Sequence, residues 1–373
     1  MFALTKFWTS FFPRRIGVAS ICLAVPLLLI SGAHAQQPPY TGPQGTPGDY
    51  IIHDFHFASG EMLPELRMHY VTLGKPERDA QGKVTNAVLI LHGTSGSSRQ
   101  FLVPQFAGVL FGPGQLLDVN HYFIIIPDNF GHGGSTKPSD GMRARFPHYG
   151  YHDLVTLQHD LLVNGLHVNH LRLIMGTSMG CMHSWMWGET YPDFMDAMMP
   201  LACLPVEIAG RNRTWRKMLI DGIRNDPEWK NGDYTSPPQA GLHTAANLFI
   251  IATSAPILMQ KNFPTREAAD KNLEEATKNY MARFDANDLL YAVDASRDYD
   301  PSKDLEKITA AVMFVNTGDD FINPPELGIA EREIKRVKRG KFVLIPASDQ
   351  THGHSTHTWA AVWQQYLKEL LSK

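Results

Sequence analysis

Between Tyr50 and Gly74 apolar and polar positions alternate, first in YIIHDFHF and again in MLPELRMHYVTL, with Ser59-Gly60-Glu61 at the joint. A period of two marks a strand buried on one face, and the Ser-Gly-Glu joint predicts a β-hairpin. From Ala87 the pattern changes. AVLILHG (87–93), YFIIIPD (122–128), LRLIMG (171–176) and DAMMPLAC (196–203) carry unbroken apolar runs, as do ITAAVMFVNTGDD (308–320) and KFVLIPAS (341–348) near the end. Strands covered on both faces read this way. HDLVTLQHDLLVNGL (152–166) and the segment after Ser178 have helical spacing. Strands alternating with helices predict an α/β fold, a mostly parallel sheet flanked by crossover helices.

The alternation stops between Leu204 and Lys307. This stretch is rich in Asn, Arg, Trp and Met, holds no buried-strand run, and contains the amphipathic segment EEATKNYMARFDANDLLYAV (274–293). It is expected to be a helical lid inserted at 204–307 into a core made of 51–203 and 308–373. Residues 36–50, rich in Pro, Gly and Gln, are expected to form an irregular arm.

The first 35 residues read as a leader. Lys6, Arg14 and Arg15 precede the apolar run Ile16–Ile30, and Ala33 and Ala35 occupy the small positions of an A-x-A cleavage site. This is the layout of a secretory signal peptide, and the run is short for a membrane span, which needs about 20 apolar residues. The expected location is secreted or periplasmic, with no stable membrane anchor after cleavage. Cleavage removes three basic residues and no acidic ones, so the formal charge of −3 becomes −6. No basic patch for nucleic acid results. Cys181 and Cys203 then remain, too few for a disulfide scaffold. Whether they are bonded, and whether the chain forms a homodimer, stay open on sequence alone.

The chemistry centres on LIMGTSMGCMHSWMW (173–187). A buried run ends in Gly176, Ser178 follows, and a helical pattern starts at once. Small residues around a serine at a strand-to-helix turn permit a strained elbow that exposes the hydroxyl at a helix N-terminus. The N–H of Met179 would face a developing oxyanion, and the loop LHGTSGSS after an earlier strand offers Thr94 as second donor. A nucleophilic serine needs a base oriented by an acid, in the chain order Ser, acid, His. FVNTGDDFINPP supplies Asp319 or Asp320 at a strand end, and ASDQTHGHSTHT supplies His352, His354 or His357. The three histidines could instead hold a metal, but a single Asp beside them and a complete nucleophilic set favour the serine reading, with no metal and no cofactor. DNFGHGGSTKP could border the site and His132 could line a pocket, but the favoured reading of both is a structural loop whose glycines permit tight turns. In the lid, Trp215, Met218, Trp229, Leu248, Phe249, Met259 and Tyr280 are either pocket wall or the lid's own core.

These residues resemble the α/β-hydrolase superfamily and, within it, the homoserine O-acetyltransferase group, from about Phe55 to Leu370. MGTSMGCMHSWMWGETYPD is similar to that family's Gly-Gly-Ser-Met-Gly-Gly-Met elbow, and IRNDPEWKNGDYTSPPQAGL to its Asp-Pro-x-Trp-x-x-Gly-x-Tyr lid motif. DDFINPP resembles its Asp-x-Leu-Phe-Pro-Pro segment, which selects Asp320, and the Gly353-His354 pair matches its Gly-His-Asp, which selects His354. The resemblance implies an α/β-hydrolase fold and the catalytic set Ser178, Asp320 and His354, with Thr94 and Met179 as the oxyanion hole. Three positions depart from the family pattern: Thr177 for the second elbow glycine, Ser355 for the acid after the histidine, and Ile220 where the family carries an arginine for its amino-acid substrate.

The expected reaction is hydrolysis of a small-molecule acyl ester through an acyl-enzyme. Ile220 removes the expected carboxylate clamp, and a leader would carry the chain away from acyl-CoA. The alternatives are acyl transfer of the homoserine O-acetyltransferase type and, from a different class, a binding protein that kept the fold and lost the chemistry.

Overall fold

The computed structural model describes residues 40–372, so the leader expected at 1–35 and the start of the arm lie outside the described residues. Eight strands form one sheet in the order β1-β2-β4-β3-β5-β6-β7-β8. β1 (Thr46–His56) and β2 (Met62–Leu73) are the hairpin that alternation predicts, and β2 pairs antiparallel with β4 (Phe123–Pro127). All other pairings are parallel: β3 (Ala87–Leu91) with β4 and with β5 (Leu173–Thr177), then β6 (Ala197–Leu201), β7 (Ala311–Thr317) and β8 (Gly340–Ile345) in turn.

The arm expected to be irregular up to residue 50 is already strand from Thr46, where Thr46 pairs with Thr72 and Gly48 with Tyr70. The composition misleads because β1 lies at the sheet edge, where Pro47 needs to donate to no further neighbour. Gly48 fits there because a Cβ would stand 2.5 Å from the Tyr70 ring.

The apolar runs are doubly buried because their alternate residues enter two different cores. Leu89, Leu91, Ile125, Ile174, Met198 and Phe314 face one cluster; Val88, Ile90, Ile124, Ile126, Met175 and Met199 face the other. The second face is covered by α1 (Ala107–Leu110) and by α10 (Ala360–Leu371) through Trp363, Leu367 and Leu370. The first is covered by α2 (Tyr151–Asp160), by α3 (Met179–Thr190) with Trp185 and Trp187 fully buried, and by part of the lid. Each large side chain sealed there contributes roughly 1.5–3 kcal/mol of transfer free energy.

Between β6 and β7 the chain forms α4 (Gly210–Arg224), α5 (Gln239–Thr253), α6 (Pro256–Asn262), α7 (Arg266–Met281) and α8 (Ala286–Asp294). This is the helical lid insertion. The lid motif folds as a turn held by Asp226, whose side chain accepts from Glu228 N at 2.8 Å and Gly241 N at 2.7 Å. Trp229 Nε1 donates to Asn287 Oδ1 at 2.8 Å, which fixes α8 against the turn. α9 (Ile329–Glu333) follows β7. No single described helix is long and apolar enough to cross a membrane. Cys181, on α3, is disulfide-bonded to Cys203, just past β6.

Candidate active site

Ser178 joins β5 to α3 with φ 55° and ψ −111°, a strained combination for a residue with a Cβ. Its own N–H donates to Leu201 O at 2.9 Å, and its carbonyl accepts from Met182 N at 3.1 Å. The elbow closes only because its neighbours are glycines. A Cβ on Gly176 would meet Gly180 O at 2.0 Å, and one on Gly180 would meet Leu91 O at 2.0 Å. Thr177, where the family pattern has glycine, is buried, and its hydroxyl accepts from Gln100 Nε2 at 3.0 Å. Gln100 Oε1 in turn accepts from Gly93 N at 3.1 Å. One side chain thus ties the elbow to the 93–97 loop, a link that a glycine at 177 could not make.

Ser178 Oγ donates to His354 Nε2 at 2.8 Å, and His354 Nδ1 donates to both carboxylate oxygens of Asp320 at 3.0 Å. Both partners are buried. Asp320 accepts further from Ile322 N at 2.8 Å, Asn323 N at 3.1 Å and Asn323 Nδ2 at 3.0 Å. Burial pushes the Asp320 carboxyl up, but His354 and the Asn323 donors outweigh it and hold it below its ordinary value. Asp319 points elsewhere: its Oδ2 accepts from Thr351 Oγ1 at 2.7 Å and Gly353 N at 3.1 Å, bracing the loop that carries His354. His352 stacks on Trp359 at 3.7 Å, while His357 stands edge-on to His354 at 5.2 Å. Among the described residues no group of three or more His, Cys, Asp or Glu is placed to hold a metal ion.

Thr94 lines the cavity above Ser178, and among the described residues its N–H donates to no other group. The Met179 N–H lies in the first turn of α3, where N–H groups have no intrahelical acceptor. His132, read from sequence as part of a structural loop, lines the same cavity and touches Thr94.

The cavity is about 660 Å³, walled on one side by the core loops and on the other by the lid. Trp215, Phe249 and Tyr280 face it, whereas Met259 lines a separate hollow, Trp229 and Leu248 pack on the core and Met218 is exposed. Arg216 also lines it and is 1% exposed. Its Nε donates to Asn212 Oδ1 at 3.0 Å and Nη1 to Ser296 Oγ at 3.2 Å, both neutral acceptors, and no ion pair to it is found among the described residues. Ile220, one turn further along α4, is buried in the core cluster and is not part of the cavity wall. Across the cavity Asp288 accepts from Ser139 N and Oγ at 2.8 and 2.7 Å, and burial pushes its carboxyl up to about 7.

Sequence reasoning places Arg216 near the lid motif but out of register with it, and does not find Gln100 or Asn323.

A family profile described as the alpha/beta hydrolase fold matches residues 86–348. A protein described as a probable acyltransferase of Methanothermobacter thermautotrophicus is 30% identical over 283 residues, covering 75% of this chain and 85% of that protein. The homoserine O-acetyltransferase of Pelobacter propionicus is 29% identical over 332 residues, covering 79% of this chain and 87% of the relative. Among solved structures, an acetylester hydrolase from Corynebacterium glutamicum superposes with a TM-score of 0.77 at 20% identity, covering 88% of this chain and 96% of that one, a likeness of fold.

Proposed function

The chain belongs to the α/β-hydrolase fold family and to its homoserine O-acetyltransferase-like group, and from that premise we propose that it is an acyltransferase working through an acyl-serine. In this reading Ser178 Oγ attacks the acyl carbonyl of an ester or thioester while His354 takes its proton. The N–H groups of Thr94 and Met179 hold the oxyanion, worth about 3 kcal/mol per donor in the transition state. Collapse expels the donor's alcohol or thiol, which takes the proton from His354, and leaves the acyl group on Ser178. An acceptor hydroxyl then gives its proton to His354 and attacks the acyl carbon, and Ser178 Oγ leaves by taking that proton back from His354. Asp320 keeps the Nδ1–H tautomer of His354 throughout.

The observation that carries transfer over hydrolysis is Arg216. A buried guanidinium with only neutral partners is costly, and a carboxylate-bearing acceptor would complete it. The expectation of hydrolysis leaned on the missing arginine at 220; Arg216 removes that reason, and the acyltransferase relatives favour transfer. Homoserine, the substrate in the names of several relatives, has the carboxylate and hydroxyl this site would use.

Hydrolysis of the same acyl-enzyme is the second reading, favoured by the leader-like residues 1–35, which would take the protein to a secreted or periplasmic location without acyl-CoA. The test is to supply acetyl-CoA with and without homoserine, and separately simple esters, to the chain beginning after Ala35. Homoserine-dependent CoA release with O-acetylhomoserine as product supports transfer. Ester cleavage indifferent to acceptors moves the assignment to hydrolysis. Failure of a fluorophosphonate to label Ser178 in folded protein overturns both, and favours a binding protein. N-terminal sequencing of protein recovered from cell fractions tests the location.

A further inference from the structure

Two imidazoles grip consecutive carbonyls of the loop that carries Thr94. His92 Nδ1 donates to Gly93 O at 2.8 Å, and its Nε2 accepts from Asn129 N at 3.0 Å, so this fully buried ring is satisfied as a neutral species. His132 has a different environment. Its Nε2 lies 3.0 Å from Thr94 O and its Nδ1 lies 3.1 Å from Phe130 O, so both ring nitrogens face acceptors. The ring is 6% exposed and packs edge-on to His92 at 5.1 Å. Burial, and then His92, push it down to about 4, so at neutral pH it carries one N–H for two carbonyls. Its loop cannot yield to relieve this. Asp128 accepts from Gly134 N at 2.7 Å and from Ser98 N, binding the His132 loop to the Thr94 loop. Gly133, at φ 52°, leaves no room for a Cβ, which would meet Asp128 Oδ2 at 2.1 Å.

We propose that His132 is a positioning residue for the reaction, its Nε2–H donating to Thr94 O and so fixing the direction of the Thr94 N–H. The geometry follows from peptide planarity. The Thr94 N–H belongs to the peptide unit whose oxygen His92 holds, and the next unit's oxygen is held by His132. With both flanking planes pinned, φ and ψ of Thr94 are set and the donor needs no reorganisation as charge develops. The cost is the unsatisfied Nδ1 contact with Phe130 O, which a purely structural side chain would avoid.

This inference rests on the acyl-serine reading, and the experiment separates the two. Wild type, His132→Ala, His132→Gln and His132→Met are compared for kcat, KM, affinity for a boronic acid that adds to Ser178, and thermal midpoint. His132→Met fills the space without a donor, and His132→Gln restores an N–H at comparable reach. The expected result is a ~10- to 100-fold fall in kcat for Ala and Met with KM within about two-fold, a matching loss of boronate affinity, and recovery of most of it in Gln. If Ala is poorly folded, Met against Gln carries the comparison. Wild-type kcat and boronate affinity in the Met variant, or a Gln variant no better than Met, overturns the assignment while leaving the acyl-serine reading intact. A wild-type protein whose Ser178 takes neither boronate nor fluorophosphonate overturns both.

Discussion

The Oγ of Ser178 and the Nε2 of His354 lie 2.8 Å apart although 176 residues separate them in the chain. That distance is a working hydrogen bond for proton transfer, and it is produced by two strand ends that the sheet holds side by side. Ser178→Ala should remove acyl-enzyme formation, with turnover falling by up to ~10⁶-fold. Asp320→Asn should cost about 10⁴-fold, because the amide favours the wrong histidine tautomer. Asp319→Asn should be far milder in rate and should appear instead as a lower thermal midpoint, since Asp319 braces the His354 loop. Single-turnover kinetics and calorimetry on the three variants check this, and equal rate losses at 319 and 320 would be the contrary outcome.

Arg216 should show a divided response. Arg216→Met removes a buried charge that has no carboxylate partner, so the thermal midpoint should hold or rise. The KM for a carboxylate-bearing acceptor should rise by ~10- to 100-fold, as for loss of a charged hydrogen bond worth about 1.5–3 kcal/mol. Neutral esters should be cleaved as before. A variant that loses stability and retains acceptor affinity would remove Arg216 from the substrate-binding role.

Acid should weaken the fold through buried histidines. Burial, then His92, holds His132 down to about 4; burial, then His92 and His132, holds His183 down to about 3. Above the ordinary value near 6.5 both states are neutral and these residues contribute nothing to the slope. As pH falls below that, the unfolded chain takes up protons that the folded one refuses, so stability is lost from about 6.5 down towards 4 and 3. Each histidine contributes up to ~1.4 kcal/mol per pH unit in that window. Denaturant titrations at steps between pH 7.5 and about 4.5 check the sign; His183→Gln should flatten part of the slope.

The Cys181–Cys203 bond closes a loop with a sequence separation of 22. Loops of that size are stabilised by roughly 2–4 kcal/mol when cross-linked. Calorimetry with and without reductant, and on Cys181→Ala/Cys203→Ala, should show a midpoint lowered by several degrees. Both cysteines are buried, so reduction under native conditions should be slow. An unchanged midpoint in the double variant would mean that packing alone fixes α3 against the end of β6.

The parallel sheet was legible because a strand sealed on both faces has no polar positions to spare, and AVLIL and FIIIP can be little else. The elbow was legible because Gly176 and Gly180 are forced by backbone approach. The edge strand at Thr46 was not, because edge pairing tolerates a composition that otherwise spells loop. Arg216 stands near the lid motif but out of its register, and only the packing of α4 shows that it, and not position 220, lines the cavity. Gln100 is not legible, and His132 reads first as structural, because their partners, Thr177 Oγ and Thr94 O, are set by loop packing. The pairing of Cys181 with Cys203 needed the distance between a helix and a strand end, which no spacing rule supplies.

The whole lid leaves the sheet at Leu201 and returns at Ala311, and the two strands it connects, β6 and β7, are hydrogen-bonded neighbours. The two strands run parallel, Ala197 beside Ala311 and Leu201 beside Val315, so the exit and the return lie at opposite ends of the sheet and the connection has to cross its face. Part of that crossing, through Leu219, Ile220 and Ile223, is sealed into the sheet's own core, while Phe249 and Tyr280 wall the cavity. A chimaera that takes its cavity-facing lid residues from an acetylester hydrolase and keeps Leu219, Ile220 and Ile223 would be expected to keep its acyl-serine chemistry and change its diet.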